Sequence, residues 1–229
     1  MNPARASAEA RAAAPSAIVG LYAITPDEAD TAVLARKVGE AIAGGARAVQ
    51  YRNKSAGARL RREQGAALLA LCRSLRVPLV VNDDLDLTVS LGADGLHLGR
   101  DDVSVAAARG RLGPGRMLGA SCYDSLDLAL AARRAGADYV AFGSAFASST
   151  KPGAVRAPLP LYREAKARLA CPVVAIGGIT RENVRLVIDA GADAVAVISA
   201  LFDDPDIEQR AREFARMFSG HELEKRPAV

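Results

Sequence analysis

Gly45-Ala46-Arg47-Ala48-Val49, Gly92-Ala93-Asp94-Gly95-Leu96, Gly136-Ala137-Asp138-Tyr139-Val140 and Gly191-Ala192-Asp193-Ala194-Val195 are four variants of one phrase. Each places a glycine where a segment of helical periodicity stops and a short apolar run begins. Glycine just past a helix can take the left-handed conformation that satisfies the last carbonyls, and the turn then feeds directly into a sheet. The copies recur roughly every fifty residues, the length of two strand–helix units, so they mark every second strand of a longer series.

Working outward from these four points, β-branched apolar runs fall at 18–24, 48–52, 79–81, 95–98, 117–121, 139–143, 173–176 and 194–198. Between them, stretches such as 60–76, 125–135, 161–169 and 181–190 place apolar residues at three- and four-residue intervals with Arg and Glu interspersed. Alternation of this kind argues for parallel strands joined by crossover helices. Eight such pairs favour one α/β domain, a closed (β/α)₈ TIM barrel, over an open doubly wound sheet, which usually has six strands or fewer. A chain of 229 residues fits that size as a single unit. The barrel is expected over 17–219, with a disordered tail at 1–16 and a short polar tail at 220–229.

Composition narrows the function. The net charge of +4 and the 4% aromatic content offer neither a basic stripe nor a stacking platform for nucleic acid. No apolar run approaches the ~20 residues needed to span a bilayer, and no apolar core of a secretory signal is present near the start. The Ala- and Arg-rich residues 1–16 hint at a transit peptide, but Pro3, Glu9 and Pro15 interrupt any amphipathic helix. Cys72, Cys122 and Cys171 are odd in number and far apart, which suits neither a disulfide framework nor a zinc site and points to a reducing cytoplasm. Oligomeric state stays open, a homodimer included.

In a (β/α)₈ barrel, chemistry sits where strands end, and this chain gathers polar residues there. The second strand runs into Gln50-Tyr51-Arg52-Asn53-Lys54, the third into Asn82-Asp83-Asp84, the fourth into Gly99-Arg100-Asp101-Asp102, and the fifth ends at Ser121. Ser148-Ser149-Thr150-Lys151 follows the sixth, in a connection from 144 to 158 long enough to act as a lid. Each cluster has a bland alternative: solvated charges, a helix cap at Asp84, turn filler at Thr150. Their convergence on one rim is harder to explain blandly, because like charges gathered without a ligand repel.

Arg52 offers a planar fork, while Lys54 and Lys151 offer compact ammonium groups suited to a phosphate whose charge shifts during reaction. Gly177-Gly178 after the seventh strand and Ile198-Ser199 after the eighth fall where such barrels often bind phosphate through backbone amides. Asp83 and Asp102 are two hard carboxylates suited to Mg²⁺, which retains waters and shares substrate oxygens. His97, inside the fourth strand, reads more readily as a packed, hydrogen-bonded residue than as a catalyst.

At these residues the chain resembles the thiamine-phosphate synthases from Gly20 to Phe218. The likeness rests on eight motifs in order: Leu21-Tyr22-Ala23-Ile24-Thr25, Gln50-Tyr51-Arg52-Asn53-Lys54, Val81-Asn82-Asp83-Asp84, Gly95-Leu96-His97-Leu98-Gly99, Gly119-Ala120-Ser121, Thr150-Lys151, Ile176-Gly177-Gly178-Ile179 and Val197-Ile198-Ser199. The resemblance implies a transferase that joins hydroxymethylpyrimidine diphosphate to a thiazole phosphate, or its carboxylate. It implies Mg²⁺ on Asp83 and Asp102, and substrate contacts from Gln50, Tyr51, Arg52, Asn53, Lys54, Asn82 and Lys151 toward the pyrimidine diphosphate. Ser121 would face the pyrimidine, and Ser148, Ser149, Thr150, Gly178, Ile198 and Ser199 the thiazole phosphate. Arg52, Lys54, Lys151 and Ser121 would carry the catalysis. Arg100 departs from the family's usual glutamine, Ser148 from its threonine, and Cys122 from a small hydroxyl residue. Rival readings are a metal-independent thiazole tautomerase relative, a non-catalytic regulator binding a ligand of the same pathway, and another phosphosugar or amino-acid-pathway barrel.

Overall fold

The computed structural model describes residues 18–147, 153 and 155–224. Eight parallel strands close into a barrel in sequence order: β1 (Gly20–Ile24), β2 (Ala48–Tyr51), β3 (Leu79–Asn82), β4 (Gly95–Leu98), β5 (Met117–Tyr123), β6 (Tyr139–Phe142), β7 (Val173–Ile176) and β8 (Ala194–Val197). The register of β1 against β8, with Leu21 opposite Val195, completes the circle. Between the strands run α1 (Thr31–Ala43), α2 (Ala58–Ser74), α3 (Leu85–Leu91), α4 (Val105–Leu112), α5 (Leu126–Ala135), α6 (Leu159–Arg168) and α7 (Val184–Asp189). After β8 come a single turn, α8 (Ser199–Phe202), and the long α9 (Ile207–Glu224). The expected strands and crossover helices therefore all form, with shifts of a few residues at their ends.

Strand alternation divides the core in two. Tyr22, Ile24, Ala48, Val80, Met117, Tyr139, Val174 and Ala196 point into the barrel. Their neighbours Leu21, Ala23, Val49, Val81, Val140, Val173 and Val195 point outward under the helices. Strands buried on both faces read as near-continuous apolar runs, which is why all eight are visible in the sequence.

The four-fold phrase has a second role beyond its turns. Gly45, Gly92, Gly136 and Gly191 all hold positive φ, as the helix-stop reading requires. The aspartate that follows in three copies then reaches sideways to the preceding odd strand. Asp94 Oδ2 accepts from the Leu79 amide at 2.9 Å, Asp138 Oδ2 from Leu118 at 2.9 Å, and Asp193 Oδ2 from Val173 at 2.8 Å. These carboxylates tie off the lower ends of β3, β5 and β7, where the ladder would otherwise leave amides unpaired. In the first copy Arg47 stands instead and lays its side chain against Gly20.

α9 closes the outside of the barrel against the end of α1, so closely that a Cβ on Gly44 would lie 2.2 Å from Glu208 O. It continues to Glu224, past Gly220 where the sequence reading places the start of a tail. A lone glycine costs a helix only ~1 kcal/mol, and Glu222, Leu223 and Glu224 are good helix formers. All three cysteines are free and buried. Among the described residues no helix is long and apolar enough to cross a membrane.

Candidate active site

A cavity of about 450 Å³ opens at the C-terminal ends of the strands. Of the residues singled out from the sequence, Gln50, Arg52, Lys54, Asn82, Asp83, Asp102, Ser121, Gly178, Ile198 and Ser199 line it. Ser148, Ser149, Thr150 and Lys151 lie outside the described residues. The chain approaches them from a base docked on the seventh strand's turn, with Ala145 N donating to Ile176 O at 2.8 Å and Phe146 N to Gly177 O at 3.0 Å. Gly178, at φ +62°, faces that base so closely that a Cβ there would lie 2.1 Å from the Ala147 carbonyl oxygen.

Tyr51 and Asn53 require a correction, because neither lines the cavity. Alternation along β2 sends Tyr51 outward where Gln50 points in, and its hydroxyl donates to Gln64 Oε1 at 3.0 Å. Asn53 donates from Nδ2 to the Glu28 carbonyl and to Gln64 Oε1. Gln64, fully buried on α2, donates in turn to Glu28 O at 2.8 Å. These three side chains brace the β1 and β2 loops from behind and so hold Arg52 and Lys54 at the rim. Asp27 braces them from the front. Its Oδ1 lies 3.1 Å from Arg52 Nη1 and accepts from the Lys54 amide at 3.0 Å. Neither Gln64 nor Asp27 belongs to a motif that singles it out in the sequence.

Asp83 and Asp102 meet at the mouth. Asp102 Oδ2 accepts from the Gly99 amide at 2.6 Å, the Asp83 carboxyl lies beside it around Gly99, and Lys54 Nζ lies 3.6 Å from Asp83 Oδ2. Burial first, and then the neighbouring Asp83, push the Asp102 carboxyl above its ordinary range, while the Gly99 amide and Lys54 pull the other way. Two carboxylates in contact share either a proton or a cation. As a donor set the pair fits a hard cation such as Mg²⁺, because both groups offer carboxylate oxygens. Among the described residues no group of three or more His, Cys, Asp or Glu is gathered that could hold a metal ion by itself.

Arg100 stacks its guanidinium over the Tyr123 ring, 4.3 Å from the centroid, while its own amide donates to the Tyr123 hydroxyl at 3.1 Å. Deeper in the cavity, His97 is the packed, hydrogen-bonded residue expected of it, and it also lines the cavity floor. Its Nδ1 lies 3.0 Å from the Tyr139 hydroxyl and its Nε2 2.9 Å from Ser121 Oγ. Burial depresses its pKa to about 4, so the ring is neutral at pH 7.

The class so defined is a (β/α)₈ barrel with a cavity at its C-terminal mouth where basic side chains and a carboxylate pair gather. Comparison with known proteins gives the family. Residues 21–201 match the model of thiamine monophosphate synthase. The chain is 56% identical over 200 residues to the thiamine-phosphate synthase of Thiobacillus denitrificans, covering 87% of this chain and 95% of that one. It is 54% identical over 202 residues to that of Methylobacillus flagellatus, covering 88% and 96%. Its structure superposes on thiamine phosphate pyrophosphorylase from Pyrococcus furiosus with a TM-score of 0.80 at 35% identity, covering 90% of this chain and 98% of the other. The chain belongs to the thiamine monophosphate synthase family.

Proposed function

We propose that the chain joins 4-amino-2-methyl-5-hydroxymethylpyrimidine diphosphate to a thiazole phosphate, or its carboxylate, giving thiamine phosphate and free diphosphate. The C–O bond between the pyrimidine methylene and the diphosphate breaks with its electron pair leaving on oxygen, and the thiazole nitrogen supplies the pair for the new C–N bond. No strong base is needed. The demand on the protein is to stabilise a polyanionic leaving group and to aim the two rings at each other.

The observation that carries this reading is the meeting, in one cavity, of the Asp83–Asp102 pair with Lys54 and Arg52. Asp83 and Asp102 would hold Mg²⁺, which when bound supplies charge neutralisation to the departing diphosphate. Arg52 gives a fork of donors to the diphosphate and Lys54 a compact charge beside it. Gln50, Asn82 and Ser121 orient the pyrimidine, while Gly178, Ile198 and Ser199 receive the thiazole phosphate. Holding both rings in an attacking geometry is worth ~7 to 11 kcal/mol of barrier. The family resemblance adds Lys151, with Ser148, Ser149 and Thr150, as further anion contacts. Three free cysteines suit the cytoplasm.

A thiazole tautomerase would leave the carboxylate pair without a task. The two readings separate in one assay: the purified chain with both substrates and Mg²⁺ yields thiamine phosphate, and omission of either substrate yields none. Isomerisation of a thiazole phosphate alone, in chelator and with no coupled product, would replace this reading by the tautomerase.

A further inference from the structure

Five polar side chains form one continuous chain across the barrel floor. Gln50 Nε2 donates to the Tyr22 hydroxyl at 2.9 Å, and the Tyr22 and Tyr139 hydroxyls lie 3.0 Å apart. Tyr139 meets His97 Nδ1 at 3.0 Å, and His97 Nε2 meets Ser121 Oγ at 2.9 Å. The seat is built for this. A Cβ on Gly119 would fall 2.1 Å from Tyr139 Cζ, so only glycine lets the tyrosine ring lie where its hydroxyl reaches both Tyr22 and His97.

Each phenol has one proton to give, and burial holds both phenols in their protonated form. Tyr22 accepts from Gln50, and the arrangement in which every proton of the chain finds an acceptor within it sends the Tyr22 proton to Tyr139. Tyr139 then gives its proton to His97 Nδ1. A neutral imidazole that accepts at Nδ1 carries its proton at Nε2, and that proton goes to Ser121 Oγ. Ser121 therefore receives a hydrogen bond from behind and keeps its hydroxyl proton for whatever occupies the cavity.

We propose that His97 is a positioning residue that, through this one-way chain from Gln50, sets Ser121 as a hydrogen-bond donor to a ring nitrogen of the pyrimidine substrate. The assignment of that ligand rests on the function proposed above; the direction of the chain does not. An inverted Gln50 amide would reverse every donor, place the imidazole proton on Nδ1 and turn Ser121 into an acceptor from the ligand, the wrong polarity for a bare ring nitrogen.

The chain has two histidines, so a His221→Gln protein with ¹⁵N-labelled histidine reports His97 alone. Two-bond proton–nitrogen correlation spectra of the ligand-free protein at neutral pH are expected to show Nε2 protonated and Nδ1 bare. A proton on Nδ1, or on both nitrogens, overturns the proposal. Tyr139→Phe keeps the ring but removes the hydroxyl; it is expected to erase the tautomer preference and raise KM for the pyrimidine diphosphate roughly tenfold, leaving KM for the thiazole phosphate within about twofold. Tyr22→Phe, one link further away, should act in the same direction more weakly. Unchanged His97 resonances and unchanged pyrimidine KM in both variants would also overturn it. Because the tautomer is read without substrate, a wild-type protein that makes no thiamine phosphate would sink the functional reading while leaving the spectrum to judge the chain.

Discussion

Asp27 Oδ1 holds Arg52 Nη1 at 3.1 Å and the Lys54 amide at 3.0 Å, so one carboxylate oxygen fixes both the side chain and the backbone of the second strand's rim. The pair is partly exposed, with side-chain accessibilities of 19% for Arg52 and 39% for Asp27, and pairs of that kind contribute at most ~1 kcal/mol to folding. With Arg52 as the proposed anion contact, the expected value of the pair is to pre-set that guanidinium. Asp27→Asn should therefore shift Tm little while raising KM for the pyrimidine diphosphate roughly fivefold. A large loss of Tm with unaltered KM would make Asp27 a folding residue instead.

Removing the carboxylate pair should abolish metal dependence along with turnover. Asp83→Ala/Asp102→Ala is expected to lower kcat by about 100-fold or more, the scale on which transition-state charge stabilisation acts. Initial rates measured across a Mg²⁺ titration decide the matter. Full turnover by the double variant in excess chelator would mean that the two carboxylates serve each other and Lys54 alone.

Gly178→Val should weaken the thiazole phosphate more than the pyrimidine diphosphate. A β-branched residue at φ +62° is strained by ~1 to 3 kcal/mol, and its Cβ would drive into the Ala147 carbonyl at 2.1 Å. The damage falls on the paired turns after β6 and β7, so thiazole phosphate affinity should drop roughly tenfold or more. Calorimetry with each ligand separately reads the difference; equal losses for both would indicate general misfolding.

His97 gives the protein an acid-sensitive core. Burial lowers its pKa from 6.5 to about 4 in the fold, with Asp102 pulling weakly the other way. The unfolded chain binds the proton first, so this stabilisation is complete above pH 6.5 and fades as pH falls toward 4. At ~1.4 kcal/mol per unit the full effect is on the order of 3 kcal/mol. Denaturant melts at pH 7 and pH 4.5 should differ by more in the wild type than in His97→Gln, and identical pH slopes in the two proteins would contradict it.

Fold and rim were open to reading along the chain because their signals are local. A strand buried on both faces is an apolar run, and a polar cluster at its end needs no partner to be noticed. What the sequence hid is held together across long separations. Tyr22 and Tyr139 touch from 117 residues apart, and no pattern in either neighbourhood announces it. Asp94, Asp138 and Asp193 stood in plain view as a repeat, yet their grip on the preceding odd strands emerges only from the closed barrel. The motif groups Tyr51 and Asn53 with their cavity-lining neighbours, but the pleat of β2 and the buried Gln64 turn them away from the cavity.

The most direct test of the whole account is a phosphorus NMR time course on the wild-type protein with pyrimidine diphosphate, thiazole phosphate and Mg²⁺. Free diphosphate and thiamine phosphate are expected to appear together in equal amounts, and neither is expected when the thiazole phosphate is withheld. Diphosphate released without the coupled product would contradict it, as would a spectrum that does not change.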